Sequence, residues 1–557
     1  MTIESDSKRR KVYVYPNHPR SISIFSISGR HPLNVKPSGN SLLNNDTTLN
    51  DSKNSLLGVF ASFPDELIQE VIGYIDDSPS LRNLSHVSRI FYAFLYDEEI
   101  WKKLYVKNIT LYNEREWLGS WRNTVLGIKH SADIQLMDNL VCSDVLYRPF
   151  QCSQINYSKL FAKILVEEET YHNDSILGQL GKLPQGRILR INENDLSISE
   201  FNTNYHDTPF ILTNSDTTRW PQWTFAQLND QYSDVKFRQE AVEWDLGKFN
   251  QYLHNNKDEN PLYLFDCNSI AMQTLRKQYV PPQIFQQDLF SVFNKPNQFT
   301  CRPDHAWLIM GSARSGSTFH KDPNYTCAWN VAITGRKLWI MLPPHITPPG
   351  VSTDDEESEV TSPVGIAEWV LSGFFNDSIK IAECVVGVTF PGECMYVPSG
   401  WWHSVINIDD SIAITQNFVP ISKLANALDF LKNKQGQVSG FRPREINVTL
   451  HNLLTGGAKE SSFQNYVDVF DSLNIDVNED CGEIADLPGM PIYELFVYLL
   501  KQNGMEMQLK EALVKLEKIE LKAYEKETGK SKAWEKLTEP SSTAAFSFGF
   551  EDSSDEE

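Results

Sequence analysis

The sequence predicts a multidomain protein of the α+β class, in which helical regions flank a central β-barrel. Its 557 residues exceed what one hydrophobic core accommodates, and 41% of them are hydrophobic, which is enough for several cores. Apolar residues recur at helical spacing in residues 57–130 and 421–535, whereas residues 206–420 contain short runs that alternate apolar and polar side chains. A helical lead-in over residues 131–205 is predicted to join the first helical region to the barrel.

Both ends of the chain are predicted to be disordered. Residues 1–56 are rich in Ser, Asn and Asp and show little periodicity, and residues 536–557 end in an acidic run. Residues 8–11 (Lys-Arg-Arg-Lys) match a basic nuclear import pattern, although four basic residues in a flexible arm are a weak signal. We therefore expect the protein in the nucleus, in the cytoplasm or in both.

The first helical region opens with residues that favour helix initiation. Pro64 stands at the first turn, Asp65 and Glu66 suit the helix dipole, and Leu67 and Val71 begin an apolar stripe. Later positions continue the helical pattern: Ile72, Ile75, Leu81, Leu84, Val87, Ile90, Phe91, Phe94 and Trp101. This spacing alone predicts a small bundle that supports the next domain, because apolar stripes on helices are usually core.

His320, Asp322 and His403 are candidate metal ligands in the alternating region. The first two form a His-x-Asp pair, and the second histidine follows much later in the chain. Two histidines and one carboxylate on one face of a metal leave the opposite face open, which is how non-heme Fe(II) oxygenases hold iron. A His-x-Asp pair also occurs by chance, so the surrounding strands must support the assignment.

Residues 330–342 predict a β-hairpin with two different faces. Gly335 opens a two-residue loop, which favours a type II′ turn and pairs Thr334 with Lys337. In that register Asn330 and Lys337 face the barrel interior. The other face is apolar and points outward: Val331, Ile333, Leu338, Ile340 and Leu342. A lysine inside a barrel needs an anionic partner such as the carboxylate of 2-oxoglutarate, and the alternative is an exposed lysine near the hairpin tip.

A later segment places His403 on a similar two-faced strand pair. One face consists of even-numbered residues: Ile406, Ile408, Ile412 and Ile414. His403 and Thr415 share the opposite face, which requires a three- or five-residue loop around Asp409 and Asp410. The hydroxyl of Thr415 is a candidate to complete the hydrogen bonding of a carboxylate held by Lys337.

In these segments the chain resembles the JmjC-domain 2-oxoglutarate oxygenases, and among them the arginine demethylases and lysyl hydroxylases formerly called phosphatidylserine receptors. The stretches that carry the resemblance are Pro261-Leu-Tyr-Leu-Phe-Asp266, Arg314-Ser-Gly-Ser317 before His320-Lys-Asp322, Ala328-Trp-Asn330, Gly335-Arg-Lys337-Leu-Trp, Val397-Pro-Ser-Gly-Trp-Trp-His403 and Ala413-Ile-Thr415-Gln-Asn-Phe418. The resemblance implies a double-stranded β-helix, which is a cupin-like jelly-roll barrel. It also implies a dioxygenase that hydroxylates or demethylates protein side chains.

The resemblance assigns roles to individual residues. The implied catalytic iron ligands are His320, Asp322 and His403. The implied 2-oxoglutarate-binding residues are Tyr263, Ser317, Asn330, Lys337 and Thr415. Family members often have threonine where Ser317 stands, and serine keeps the hydroxyl. The implied cofactors are Fe(II) and the co-substrate 2-oxoglutarate, with ascorbate as reductant.

Upstream, the chain resembles an F-box, whose family role is docking onto the Skp-type adaptor of cullin-RING ubiquitin ligases. The stretches that carry this resemblance are Phe63-Pro-Asp-Glu-Leu67, Leu81-Arg-Asn-Leu-Ser-His-Val-Ser-Arg-Ile-Phe91 and Trp101-Lys-Lys-Leu104. The implied docking residues are Pro64, Leu67, Val71 and Trp101. F-boxes joined to JmjC domains are a known pairing in the family.

Charge and hydropathy restrict which classes of binding partner are expected. The net charge of −21 disfavours a general affinity for DNA and favours a basic protein substrate. The longest apolar run, residues 495–500, is too short to span a bilayer, so no membrane association is expected. Helices predicted beyond the barrel carry mixed charges on their outer face, and we interpret them as a cap over the barrel, with homo-oligomerisation as the alternative.

Three functions remain open at this point. The favoured one is an Fe(II)- and 2-oxoglutarate-dependent dioxygenase that acts on lysine or arginine side chains of proteins. A ubiquitin-ligase adaptor that uses its JmjC module to recruit targets is the alternative from another class. An oxygenase acting on modified RNA is the third, although the acidic charge argues against it. Lysyl hydroxylation and demethylation differ only in which hydrogen lies near the iron, so the sequence does not separate them.

Overall fold

The computed structural model describes residues 53–129, 155–173, 186–473 and 487–538, apart from short gaps at 259, 296–297, 355–356, 358–359, 362–364 and 372. The predicted nuclear import pattern at 8–11 and the acidic end of the chain lie outside the described residues. The chain divides into two compact units, one formed by residues 1–288 and 304–418 and the other by residues 289–303 and 419–557.

The N-terminal part of the first unit is helical. Its helices are α1 (Lys53–Leu57), α2 (Asp65–Gly73), α3 (Ser78–Ser85), α4 (Arg89–Phe94), α5 (Glu98–Lys107), α6 (Ile109–Tyr112) and α7 (Trp121–Leu126). The side chains of Asp77, Ser88 and Asp97 accept hydrogen bonds from the first turns of α3, α4 and α5, which explains where these helices begin. Helix α1 begins at Lys53, so residues 53–56, which were predicted to belong to a disordered arm, are helical.

Further helices of the first unit surround the sheets. They are α8 (Tyr157–Leu160), α9 (Ala162–Asn173), α10 (Ile198–Glu200), α11 (Phe225–Tyr232), α12 (Leu246–His254), α13 (Met272–Leu275), α14 (Ile366–Leu371) and α15 (Phe374–Ser378).

Two facing sheets form the jelly-roll barrel, as predicted. The strands of the larger sheet are, in spatial order, β1 (Leu189–Asn192), β2 (Phe210–Thr213), β15 (Cys394–Val397), β10 (Cys327–Thr334), β17 (Ser411–Phe418), β8 (Ala306–Gly311), β5 (Leu264–Asp266), β3 (Lys236–Gln239) and β4 (Val242–Asp245). The smaller sheet contains β14 (Val385–Thr389), β11 (Lys337–Leu342), β16 (Trp402–Asn407) and β9 (Gly316–His320). Two-stranded ribbons are formed by β6 (Asn294–Lys295) with β7 (Phe299–Thr300) and by β12 (Ser352–Thr353) with β13 (Val360–Thr361).

The larger sheet begins earlier than the predicted barrel boundary at residue 206. Strand β1 lies in the segment predicted as a helical lead-in and pairs in parallel with β2. Its second residue, Arg190, is buried and donates to Glu168 and Glu393 at 2.8 and 2.9 Å. A buried arginine with its own carboxylates breaks the apolar pattern of the strand, which is why the sequence did not reveal it.

The predicted hairpin at Gly335 is wrong, whereas the loop predicted around Asp409 and Asp410 has one of the predicted lengths, because residues 408–410 join β16 to β17. Strands β10 and β11 belong to opposite sheets, and so do β16 and β17. Thr334 pairs with Ile412, and Lys337 pairs with Asn407 rather than with Thr334. In this barrel the tight turn at Gly335, which has φ of 75°, carries the chain across from one sheet to the other.

The predicted faces of these strands are nevertheless correct. Lys337 is completely buried, and Asn330 is 7% exposed. The outward side chains pack in two separate clusters, one on each sheet: Val331, Ile333, Ile412 and Ile414 on the larger, and Leu338, Ile340, Leu342, Ile406 and Ile408 on the smaller. Alternation along a strand sets its faces whatever its partner is, so the wrong pairing did not affect them.

The N-terminal helices share one hydrophobic core with the outer side of the larger sheet. Trp121 of α7 donates to the buried carboxylate of Asp258 at 2.8 Å, and Tyr105 of α5 accepts from Lys248 of α12 at 2.7 Å. Trp244 of β4 packs against Trp121 with ring centroids 5.5 Å apart. These helices are therefore a continuous part of the first unit.

The second unit confirms the predicted C-terminal helices. It contains α16 (Leu424–Asn433), α17 (Pro443–Thr455), α18 (Ser461–Ser472), α19 (Ile492–Gln502) and α20 (Glu506–Thr538). Leu428, Leu495, Leu499 and Leu509 are buried in their shared core. None of the described helices combines the length and apolar content needed to cross a bilayer.

Candidate metal and co-substrate site

The structure brings His320, Asp322 and His403 together inside the barrel. His320 ends β9 and lies directly opposite His403 of β16, with ring centroids 4.1 Å apart. Asp322 follows two residues after His320, just beyond the strand end. One nitrogen or oxygen from each of the three side chains lies within 4.8 Å of the others, which is close enough to coordinate a single ion.

Backbone carbonyls orient both histidine rings for coordination. Nδ1 of His320 lies 2.8 Å from the carbonyl of Thr318, and Nδ1 of His403 lies 3.2 Å from that of Trp401. A carbonyl only accepts hydrogen bonds, so each Nδ1 carries the proton and each Nε2 keeps its lone pair. In metal-ligating histidines, the ring nitrogen that does not bind the metal typically donates its N–H to a carbonyl or a carboxylate in this way.

Asp322 leaves one carboxylate oxygen without a hydrogen bond. Its Oδ1 accepts from Asn417 at 3.1 Å, whereas Oδ2 is buried and has no hydrogen-bond partner. Burial raises the pKa of the Asp322 carboxyl and lowers that of His403 well below its usual range. An unsatisfied buried oxygen beside two Nε2 lone pairs fits a divalent transition metal, and two histidines with one carboxylate match Fe(II).

A second polar site lies around Lys337. Its Nζ donates to the hydroxyl of Tyr263 at 2.7 Å, and both side chains are buried. Burial lowers the pKa of Lys337 to about 7. In the described part of the chain no carboxylate lies within ion-pair distance of Lys337, so a bound anion would supply the missing counter-charge.

Asn330 and Thr415 lie opposite each other on β10 and β17. Both are 7% exposed, and Oδ1 of Asn330 is buried without a hydrogen-bond partner. The hydroxyl of Thr415 donates to the carbonyl of Trp329 at 2.8 Å, which leaves its oxygen as an acceptor in this arrangement. The unsatisfied amide oxygen indicates that this wall of the barrel is built to bind a polar molecule.

Ser317 lies in β9 and lines a cavity of 430 Å³ together with Tyr263 and His320. Its carbonyl accepts from the hydroxyl of Ser404 at 2.9 Å, which ties β9 to β16. The cavity wall therefore includes both the metal-ligand histidine and the tyrosine that contacts Lys337.

Asn407 belongs to the same site and was not identified from the sequence. It is the strand partner of Lys337, is completely buried, and donates to Ser315 at 2.9 Å. A hydrogen bond with Asn407 also opposes the rise that burial causes in the pKa of Tyr263. The signal was available, because Asn407 lies four residues after His403 and so faces the same side of the strand.

Of the four predicted docking residues in the N-terminal helices, three are exposed and one is buried. Pro64 precedes α2, and Leu67 and Val71 on that helix are 51% and 43% exposed. Trp101 is completely buried, and its indole donates to the carbonyl of Leu95 at 2.7 Å. Trp101 therefore supports the helical core, which corrects its expected place on the docking surface.

Comparison with known proteins adds family relationships to this geometry. The cupin-like domain family matches residues 190–423, and the F-box-like family matches residues 60–107. The chain is 33% identical to the arginine-specific demethylase JMJ22 of Arabidopsis thaliana, over 74% of this chain and 78% of that protein.

Two further relatives are matched over less of their length. The lysine-specific demethylase JMJ21 of Arabidopsis thaliana is 30% identical over 66% of this chain and 38% of its own. The bifunctional arginine demethylase and lysyl-hydroxylase psr-1 of Caenorhabditis elegans is 33% identical over 42% of this chain and 62% of its own. The chain thus spans less than two thirds of these two proteins.

Proposed function

Since the chain belongs to the JmjC family of 2-oxoglutarate- and iron-dependent oxygenases and carries an F-box-like segment, we propose that it oxidises lysine or arginine side chains in basic protein segments. The observation that carries the proposal is the set of three ligand atoms of His320, Asp322 and His403 within 4.8 Å of one another. The unsatisfied Oδ2 of Asp322 supports it, because that oxygen gains a partner when a metal binds.

Each residue of the site has a part in this proposal. His320, Asp322 and His403 hold Fe(II), and Lys337 with Tyr263 binds the distal carboxylate of 2-oxoglutarate. Asn330, Ser317 and Thr415 line the remainder of the co-substrate pocket, and Asn407 holds Tyr263 and Ser315 in place. Bound iron, 2-oxoglutarate and oxygen supply the oxidation of a C–H bond, with release of succinate and carbon dioxide. The protein positions the side chain and excludes water from the barrel.

The substrate determines which product appears. Hydroxylation of a carbon in lysine gives a stable alcohol, whereas hydroxylation of an N-methyl group on arginine gives an unstable product that loses formaldehyde. We rank lysyl hydroxylation first because it requires no earlier methylation. The net charge of −21 supports a basic substrate through long-range attraction.

Mass spectrometry of basic-peptide libraries tests the proposal. Libraries are incubated with protein, Fe(II), 2-oxoglutarate and ascorbate, and we expect lysine to gain one oxygen. The control is Asp322→Ala, which removes a metal ligand. Loss of methyl groups with formaldehyde release would instead support demethylation. If peptides stay unchanged while modified nucleosides in RNA gain oxygen, the RNA alternative replaces the protein substrate.

The exposed apolar residues of the F-box-like segment support a second function. Phe63, which precedes α2, and Leu67 and Val71 on α2 are 44%, 51% and 43% exposed, while Ile68 and Ile72 of α2 are buried. An apolar strip that the fold leaves uncovered suits a protein partner. We propose that it docks a Skp-type adaptor of a cullin-RING ubiquitin ligase.

Co-purification tests this docking proposal. The double substitution Pro64→Ala with Leu67→Ala should abolish recovery of the adaptor and leave succinate release intact. Ile270→Ala is a matched control, because Ile270 is 66% exposed and lies outside the F-box-like segment. Adaptor recovery that survives the double substitution would favour the interpretation of these helices as a supporting bundle.

A further inference from the structure

Glu240 occupies the tip of a hairpin beside the entrance to the metal site. The residues Glu240 and Ala241 join β3 to β4, because Gln239 pairs with Val242. Glu240 lines the 430 Å³ cavity that also contains His320. Among the described residues that line this cavity, Glu240 is the one carboxylate.

The cationic residue in the same cavity wall is engaged elsewhere. Arg314 donates from its guanidinium to the carbonyl of Asp258 at 2.7 Å and to the side chain of Asn256 at 3.1 Å. Lys102, from α5, lies 3.8 Å from the carboxylate of Asp258. No lysine or arginine of the described chain lies within ion-pair distance of Glu240. Burial raises the pKa of the Glu240 carboxyl, and the longer-range attraction of Lys102 opposes this rise.

The backbone of Glu240 is strained. Its φ of 47° lies in the left-handed region, where a two-residue hairpin loop normally has glycine. Arg314, which lines the same cavity, also has positive φ, at 79°. Strained non-glycine residues persist where the surrounding structure holds them, and they cluster at functional sites.

The carboxylate of Glu240 lies next to the co-substrate pocket. Its Oε1 accepts from the backbone amide of Tyr263 at 3.3 Å, and the hydroxyl of Tyr263 contacts Lys337. Glu240 and Tyr263 both line the cavity, and Lys337 is not one of its lining residues. A cationic side chain bound in this cavity would share it with the Glu240 carboxylate and with His320.

We propose that Glu240 is a specificity-determining residue, whose carboxylate binds the cationic group of the side chain to be oxidised. This inference rests on the proposed oxidation of basic side chains. A charge-assisted hydrogen bond between a carboxylate and a lysine ammonium or an arginine guanidinium gives selectivity over neutral side chains. The strained backbone keeps the carboxylate at a position where glycine would be favoured but could not bind a cation.

The test compares steady-state kinetics on two peptides that differ only in the charge of the target residue. One carries lysine and the other acetyl-lysine. For a methylarginine substrate the neutral partner is N-methylcitrulline, which keeps the methyl group to be removed. We expect Glu240→Gln to raise KM for the cationic peptide about tenfold or more, with a smaller effect on kcat, and to abolish the preference over the neutral peptide. Glu243→Gln is the matched control, because this carboxylate lies on the adjacent strand outside the cavity and its removal should preserve that preference.

A second variant separates charge recognition from backbone strain. Glu240→Gly removes the carboxylate and relieves the positive φ, so it should raise Tm while losing the same selectivity. Unchanged selectivity in either Glu240 variant, with a wild-type protein that oxidises the cationic peptide, would overturn this inference and leave the proposed function standing. Wild-type protein that oxidises no cationic peptide would overturn both.

Discussion

Replacing Lys337 by methionine separates the energetic cost of a buried ammonium from its use in binding. The side chain is completely buried, and its Nζ contacts the hydroxyl of Tyr263 at 2.7 Å. Methionine is similar in length, flexible and uncharged, so it fills the space without leaving a large cavity. We expect Lys337→Met to stabilise the ligand-free protein at pH 6 and to weaken the binding of 2-oxoglutarate.

The size of the stabilisation follows from the pKa. Burial lowers the pKa of Lys337 from 10.5 to about 7. At 1.36 kcal/mol for each tenfold change in proton affinity, keeping this ammonium charged in the ligand-free fold costs roughly 5 kcal/mol. The protein around Lys337 can relax when the side chain ionises, and this relaxation reduces the cost that is measured. We therefore expect Lys337→Met to raise the free energy of unfolding by about 2–5 kcal/mol at pH 6.

The pH dependence has a definite sign. Between pH 7 and 10.5 the unfolded lysine is protonated and the folded lysine is mainly neutral, so the unfolded state binds more protons. The destabilising contribution of Lys337 therefore becomes smaller as the pH rises across this interval, and the wild-type protein becomes more stable. Below pH 7 both states are protonated and the full cost is present. The advantage of Lys337→Met should thus be largest below pH 7 and decline toward pH 10.

Denaturant unfolding of both proteins at pH 6 and pH 9, with and without 2-oxoglutarate, measures these effects. A charged hydrogen bond contributes about 1.5–3 kcal/mol, so the half-saturating 2-oxoglutarate concentration should rise about 10- to 100-fold in Lys337→Met. The reasoning is refuted if Lys337→Met is less stable than the wild type at pH 6. It is also refuted if 2-oxoglutarate stabilises both proteins equally, because Lys337 would then lie outside the site.

Four further substitutions test other parts of the structure. His320→Ala or Asp322→Ala should abolish succinate release, because the two remaining ligands hold iron too weakly. The circular dichroism spectrum should stay unchanged. Normal turnover in either folded variant would contradict the metal assignment. Thr415→Val keeps the side-chain shape and removes the hydroxyl, so the half-saturating 2-oxoglutarate concentration should rise about threefold to tenfold in activity titrations; an unchanged value would exclude this hydroxyl from binding. Trp101→Ala should lower the free energy of unfolding by about 3–5 kcal/mol in urea, because a fully buried indole is removed; a loss below about 1 kcal/mol would place Trp101 at the surface.

The sequence by itself determined which side chains face the barrel interior. Alternation within each strand places Asn330 opposite Val331 and Ile333, and Lys337 opposite Leu338 and Ile340. Both interior assignments therefore survive, although they were made with a hairpin pairing that is wrong. The same rule put His403 and Thr415 inside, and it also applied to Asn407. The helical periodicity of the N-terminal region likewise predicted helices, because that pattern is local.

Only the tertiary structure decided which strands pair. A tight turn with Gly335 is compatible with a hairpin and equally with a crossing between two sheets. The choice depends on contacts made by distant residues, such as the pairing of Thr334 with Ile412 and of Lys337 with Asn407. Hydrogen bonds between strands form across long sequence separations, so the loop between two strands does not reveal them.

Tertiary structure also decided which apolar helical residues are core and which are surface. Ile68 and Ile72 of α2 are buried, whereas Leu67 and Val71 remain exposed on the same helix. Trp101 is enclosed, although it belongs to the same F-box-like pattern. Burial depends on which neighbouring helix covers each face, and the spacing of apolar residues along one helix carries no information about that neighbour.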